Sequence, residues 1–141
     1  MNMRKIFMLL GLSAVLLGGC ANNHSCPDPS EVRLFRTPTE FSVNAGLKSY
    51  YDGDYAASIN TLQSVVDDRA ATKSEKLIAY KFLAFSHCIT PSESREQRER
   101  MCRDSFRRAF LLNPEFKLSS AEAGHPIWGP IFSSVKSKIS K

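Results

Sequence analysis

Four cysteines and three histidines are the most reactive side chains of this 141-residue chain. Cys88 and Cys102 fall in two neighbouring predicted helices, and antiparallel packing of these helices would bring the thiols together. A disulfide needs Cα atoms within about 7 Å, and closing so short a loop stabilises a fold by roughly 3 kcal/mol. We expect this disulfide, with two buried free thiols as the alternative. The geometry favours a fourth helix that starts near Glu99, because a start at Ser94 puts Cys102 about two turns into the helix.

The sequence gives less support to a metal site or a catalytic site than to the disulfide. A metal site would need four residues whose spacing matches no common zinc motif: His24, Cys26, His87 and Cys88. The sequence has no glycine-rich phosphate loop, zincin motif or nucleophile elbow. We therefore expect no catalytic residue and no metal site. His87 is expected to be a structural histidine, and Cys26 to be free or paired between molecules.

The first 20 residues have the pattern of an export signal. Arg4 and Lys5 precede an uncharged, mostly apolar run that is too short to span a bilayer. The segment ends in LLGGC at 16–20, which resembles a bacterial lipobox and implies cleavage after residue 19. We expect residues 1–19 to be a lipoprotein signal peptide. We expect no cofactor beyond a covalent lipid on Cys20, whose several acyl chains would anchor the protein firmly.

Residues 20–36 are predicted to be a flexible tether, because they are polar, contain two prolines and lack periodicity. Ala21, rather than aspartate, follows the cysteine, which favours anchoring in the outer membrane with the domain facing the periplasm. Loss of residues 1–19 would lower the formal net charge from +5 to +3, because Arg4 and Lys5 are removed. So mild a charge on an exported chain argues against a nucleic-acid partner.

Helix caps and apolar periodicity predict an all-α domain over residues 37–141. Serine or threonine caps with glutamate or glutamine three residues later are found at Thr37, Thr72 and Ser94, and Asp54 caps a further helix. The tight DGDY joint predicts a hairpin of the first two helices. The first helix is expected to bury Val43, Leu47, Tyr50 and Tyr51. The third is apolar almost all round and is expected to be central.

The segment EAGHPIWGP at 122–130 could be a ligand site or a rigid corner. Pro126 forces His125 out of the helical region, and Pro130 starts a last helix with a stripe of Ile131, Val135 and Ile139. Trp128 is expected to pack on Phe132 or on the fourth helix. We interpret the segment as a stiff corner, and we name His125 and Trp128 as candidates for an exposed edge that contacts a partner.

The fourth predicted helix carries six arginines interleaved with acidic residues. This pattern is typical of a solvated helix face. It would also suit docking to an acidic partner, or to anionic phospholipid near the anchor. The candidate partner-binding residues on this helix are Arg103, Arg107 and Arg108.

The two predicted hairpins resemble degenerate tetratricopeptide repeats (TPRs). YYDGDYAASINTLQSVV at 50–66 is similar to the joint and second helix of one repeat, and CRDSFRRAFLLNPEF at 102–116 to the second helix of another. The first lacks the closing proline and the second has an extended joint, so the peptide-groove residues of the family are not carried over. Together with the lipobox, residues 45–132 resemble the small TPR-like lipoproteins of the TssQ type, which are associated with type VI secretion.

This resemblance implies two degenerate TPR-like helical hairpins plus a C-terminal capping helix. It also implies a non-enzymatic outer-membrane lipoprotein that scaffolds or assists an envelope secretion machine, with components of that machine as protein partners. The alternative is a general TPR adaptor for outer-membrane or pilus assembly. A periplasmic enzyme or metal carrier is a third possibility. The sequence leaves the oligomeric state open.

Overall fold

The computed structural model describes residues 37–91 and 94–139. The predictions for the signal peptide (1–19), the lipid on Cys20, the tether (20–36), His24 and Cys26 lie outside these residues. Within them the chain is all-helical and has no strand, which confirms the all-α prediction. The helices are α1 (Pro38–Tyr51), α2 (Tyr55–Asp67), α3 (Lys73–Ile89), α4 (Arg95–Leu112), α5 (Ser120–Ala123) and α6 (Gly129–Ile139).

The first four helices begin where local capping chemistry places them. In each, the side chain before the first helical residue accepts a hydrogen bond from the backbone N–H three residues later; these caps are Thr37, Asp54, Thr72 and Ser94. At Thr72 the bond is reciprocated, because the Glu75 carboxylate accepts from the Thr72 N–H. Gly53 ends the first hairpin turn at a φ of 82°, a left-handed conformation that glycine adopts without strain.

Helix α3 is central, as predicted, since it packs against α1, α2 and α4. Helices α1 and α2 form one hairpin, and α3 and α4 form the next. Thr37 and Thr39 at the start of α1 each donate a 2.9 Å hydrogen bond to Glu75 in the first turn of α3. The N-termini of α1 and α3 therefore lie side by side, and the two helices run in the same direction. Helix α6 packs on α4, which places α4 between α3 and α6.

The core combines one close helix crossing with many aromatic rings. Gly46 of α1 lies so near Leu62 of α2 that a methyl group at Gly46 would overlap the Leu62 side chain, which is fully buried. The buried aromatic side chains of the core are Phe82, Phe85, Phe106, Phe110, Phe116, Trp128 and Phe132. Edge-to-face and stacked pairs among them link α3, α4 and α6.

Two predicted core positions are wrong. Tyr51 is 72% exposed, because Thr39, Val43 and Gly46 form the buried stripe of α1. Ile139 is 38% exposed, since α6 buries Phe132 and Val135 while Ile131 is only half-buried. In both helices the buried face is rotated by part of a turn from the predicted one.

Candidate partner-binding surface

Cys88 and Cys102 form the predicted disulfide, with Cα atoms 5.2 Å apart and a sequence separation of 14. The expected helix start near Glu99 is wrong, because α4 begins at Arg95. About two turns of α4 therefore run past the end of α3 at Ile89 before Cys102 comes opposite Cys88. This overhang is the feature that shapes the surface described below.

The corner between α4 and α6 is organised by Glu122, in the short helix α5. The Glu122 carboxylate accepts a 2.8 Å hydrogen bond from Lys81 of α3, and its backbone carbonyl accepts one of 2.8 Å from the Trp128 indole N–H. Burial opposes ionisation of Glu122, but the hydrogen bonds from Lys81 and Ser119 outweigh it, so its pKa is lowered. The corner is thus tied to α3 by an ion pair that is three-quarters buried.

Trp128 lies between two rings and belongs to the core. Its ring stacks on His125 with centroids 3.3 Å apart, and on Phe85 of α3 with centroids 4.3 Å apart. The ring pairs of Phe132, the expected neighbour of Trp128, include Phe106 and Phe110. Trp128 is only 7% exposed, which leaves half-buried His125 as the accessible member of the pair. This arrangement accords with the stiff-corner interpretation.

The arginines of the predicted strip on α4 have different hydrogen-bond partners. Arg107 and Arg108 both donate hydrogen bonds to Asp104, at 2.9 and 2.8 Å. The bond from Arg108 is the main reason why the pKa of Asp104 is lowered. Arg103 faces α6 instead, where it donates a 3.4 Å hydrogen bond to the Ser134 hydroxyl. Arg103 thus contacts α6 and also lines one shallow depression with Arg100, Asp104 and Arg107.

A surface cleft lies where the overhang of α4, the end of α3 and the loop before α6 meet. It consists of two adjoining depressions with volumes of about 570 and 330 Å³. One side, the basic wall, is formed by Arg95, Arg98 and Arg103 around Glu99. The other side, the apolar wall, is formed by Pro126, Ile127 and Ile131. Cys88 of the disulfide also lines the cleft.

The charges of the basic wall converge on Glu99. Arg95 donates a 2.8 Å hydrogen bond to the Glu99 carboxylate. This bond, together with the charges of Arg95, Arg103 and Arg98, lowers the pKa of Glu99. Arg95 is thus the guanidinium group that contacts Glu99, and Arg98 and Arg103 lie nearby in the described lining of the cleft.

The sequence interpretation did not single out Arg95, Arg98 or Ile127. One signal was present in the chain, because a Cys88–Cys102 disulfide combined with a helix cap at Ser94 requires α4 to extend beyond α3. The four-residue helix α5 was also missed, although Ser119 and Glu122 form a reciprocal capping box. Both features follow from a helix cap, at Ser94 in one case and at Ser119 in the other, and these two caps were given too little weight in the prediction.

Across residues 37–91 and 94–139, no group of three or more histidine, cysteine, aspartate or glutamate side chains is placed to hold a metal ion. Within the same residues, no helix is long and apolar enough to cross a membrane. The chain matches no protein-family model, no curated protein and no solved structure.

Proposed function

We propose that this chain is a non-enzymatic, lipid-anchored protein of the bacterial outer membrane whose helical domain faces the periplasm and acts as a scaffold. In this proposal the domain is TPR-like, and it assists an envelope secretion machine by binding one or more of its protein components. The resemblance to TssQ-type lipoproteins favours type VI secretion. The lipid on Cys20 holds the domain at the membrane surface.

The observation that carries the proposal is the stacking of two helical hairpins in register. Helices α1 and α3 run side by side in the same direction, joined at their N-termini through Glu75. Stacked hairpins of this kind present extended surfaces to other proteins, and such folds act through binding. The covalent link between α3 and α4 makes this surface rigid, which lowers the entropic cost of binding.

Affinity purification from an envelope extract tests the proposal. The full chain with a C-terminal tag is solubilised in mild detergent, and co-purifying proteins are quantified by mass spectrometry. A Cys20→Ser variant serves as the matched control for the anchor. We expect components of a secretion machine to be enriched with the wild-type chain and to be depleted with the Cys20→Ser variant.

Recovery of no secretion component, in an extract where a known envelope complex is recovered with its own bait, would contradict the proposal. Enrichment of outer-membrane or pilus assembly proteins instead would favour the general TPR adaptor. Gene neighbourhood discriminates between the two at no experimental cost.

A further inference from the structure

We propose that one end of the domain contacts the anionic phospholipid surface of the membrane that anchors Cys20. This end, the near end, is defined by Lys76 at the start of α3 and by Arg108, Leu111 and Leu112 at the end of α4. The basic side chains bind lipid phosphates, and the exposed leucine packs among the upper parts of the acyl chains. The inference rests on the proposed lipid anchor and goes beyond the scaffold role, because it specifies which end of the domain faces the membrane.

A depression of about 360 Å³ lies at the near end, between α2, α3 and α4. Six described residues line it: Val66, Lys76, Tyr80, Arg108, Leu111 and Leu112. Four of these are aliphatic or aromatic, two are basic and none is acidic. Leu111 is 72% exposed. An apolar surface bordered by cations is complementary to a phospholipid, in which a negatively charged phosphate lies beside the acyl chains.

The basic side chains at the near end outnumber their carboxylate partners. Arg107 and Arg108 both donate hydrogen bonds to one carboxylate, that of Asp104, at 2.9 and 2.8 Å. Among the described residues, no acidic side chain forms an ion pair with Lys76. Three cations and one carboxylate give these four residues a formal charge of plus two. Arg98 has an interaction partner of its own, lies near the other end of α4 and contributes nothing to this surplus.

The described chain begins at the same end of the domain. Thr37, the residue before α1, donates a 2.9 Å hydrogen bond to Glu75, the neighbour of Lys76 in α3. The predicted tether, residues 20–36, joins this point to the lipid, and a flexible chain of that length spans roughly 20–25 Å on average. Cys88, at the other end of α3, lies about 18 Å farther along the helix. The anchor therefore favours an orientation in which the near end faces the membrane.

The location of the near end favours a membrane over a protein as its ligand. A peptide with acidic and apolar side chains would match the same chemistry, but it would have to arrive from solution. The anchor keeps the lipid surface within reach of the near end at all times, which gives that surface a high effective concentration. A few cations and one exposed leucine are then enough for a stable contact.

Photocrosslinking in reconstituted vesicles tests the inference. The full chain is isolated from cells in its lipidated form, with a benzophenone amino acid in place of Leu111 or, as the matched control, of Tyr51. Both side chains are 72% exposed, and Tyr51 ends α1 at the other end of the domain, where its ring contacts Phe82 of α3. Each version is placed in vesicles of phosphatidylcholine alone or in an equimolar mixture of phosphatidylcholine and phosphatidylglycerol. The adducts are identified and quantified by mass spectrometry.

We expect phospholipid adducts at position 111 in the anionic vesicles, and far fewer there in vesicles of phosphatidylcholine alone. Position 51 should give few adducts in either. Lys76→Glu lowers the charge of the near end from plus two to zero and should reduce the yield at position 111 about tenfold. Lys48→Glu is the matched control with the same change of charge. Lys48 lies in the last turn of α1, farther from the near end than the screening length of about 8 Å, so the yield should not change.

Equal lipid adducts at positions 111 and 51 would overturn the inference, as would a yield at 111 that neither phosphatidylglycerol nor Lys76→Glu changes. Protein adducts in place of lipid adducts at 111 would also overturn it, since they would show that the near end binds a second copy of the chain. The mass of the intact chain shows whether Cys20 carries lipid in the same samples. If it does and position 111 gives no adduct, the anchored scaffold stands and the near end does not contact the membrane. If Cys20 carries no lipid, the anchor fails and this inference fails with it.

Discussion

The two ends of α3 are stabilised by different kinds of contact. At its N-terminal end, the Glu75 carboxylate accepts hydrogen bonds from Thr37, Thr39 and the Thr72 backbone, so both of its oxygens are satisfied by nearby neutral donors. At its C-terminal end, a disulfide and a stack of rings provide the stability, and the described lining of the adjacent cleft contains three arginines and one glutamate. At one end both carboxylate oxygens have hydrogen-bond donors within the fold, and at the other a covalent bond and stacked rings hold the helices together.

This difference indicates how structural and binding roles are separated along one helix. A carboxylate whose oxygens are satisfied within the fold gains little from a partner, because a new donor would have to displace an existing one. At the C-terminal end, the disulfide and the stacked rings are contacts that contain no acidic or basic group.

Trp128→Ala should have the largest effect on stability. It removes the ring that joins the corner to Phe85, and truncation of a buried aromatic residue costs about 3–5 kcal/mol. Thermal unfolding of the full chain in mild detergent, followed by circular dichroism, measures the loss. His125→Ala is the matched control and should cost about 1 kcal/mol, because it removes only the outer ring. Equal melting of wild type and Trp128→Ala would mean that the corner does not stabilise the fold.

Loss of the disulfide should have the next largest effect, roughly 3 kcal/mol. The variant is Cys88→Ala with Cys102→Ala, and chemical reduction of the wild type is the independent check. Hydrogen exchange should accelerate in the α4 overhang and stay unchanged at the start of α1. Mass spectrometry under non-reducing conditions tests the bond itself, and free thiols at both positions would refute it.

Changes at the Glu75 end should have intermediate effects and a characteristic pH dependence. The hydrogen bonds from Thr72, and with them those from Thr37 and Thr39, lower the pKa of Glu75 from 4.5 to about 2. Because the folded-state value is depressed, its stabilising contribution is complete above pH 4.5 and is lost as the pH falls towards about 2. Thr72→Ala should cost about 1 kcal/mol at neutral pH.

Glu75→Gln supplies the control for this pH dependence. The amide cannot ionise, so unfolding free energy measured across the same acidic range should vary less in Glu75→Gln than in the wild type. Parallel pH profiles for the two proteins would show that Glu75 does not link the two helix starts in the way described.

The exposed ion pairs of α4 should have the smallest effect. Arg107→Ala and Arg108→Ala each remove a bond to Asp104 from a largely exposed side chain, which costs less than about 1 kcal/mol. Melting temperatures should differ from the wild type by no more than a few degrees. The sequence named both residues as candidates for partner binding, and that prediction can be tested with the same variants: their partner recovery should be compared with that of Arg103→Ala.

Helix starts were predictable because an N-cap acts over three residues. Thr37, Asp54 and Thr72 were identified from side-chain type and spacing alone, and so was the cap at Ser94, although the disulfide geometry had favoured a later start for the fourth helix. The disulfide was also predictable, since hairpin packing brings the two cysteines to neighbouring helices.

The orientation of each helix about its own axis was harder to predict. Tyr51 and Trp128 are both large aromatic residues, yet one is exposed and the other is enclosed by two rings. Their burial depends on which neighbouring helix lies closest, and apolar periodicity does not contain that information. The cleft was missed for a different reason: it depends on the offset between α3 and α4, which follows only when the Cys88–Cys102 disulfide and the Ser94 cap are combined.

Comparison of one variant at each end of α3 tests the account most directly. Glu75→Gln and Arg103→Glu are each measured for melting temperature and for recovery of the partner by affinity purification. We predict that Glu75→Gln lowers the melting temperature and leaves partner recovery unchanged, whereas Arg103→Glu reduces recovery and changes the melting temperature by no more than a few degrees. If both variants reduce recovery equally, or if Arg103→Glu has no effect on it, the two ends of α3 do not divide structure from binding as proposed.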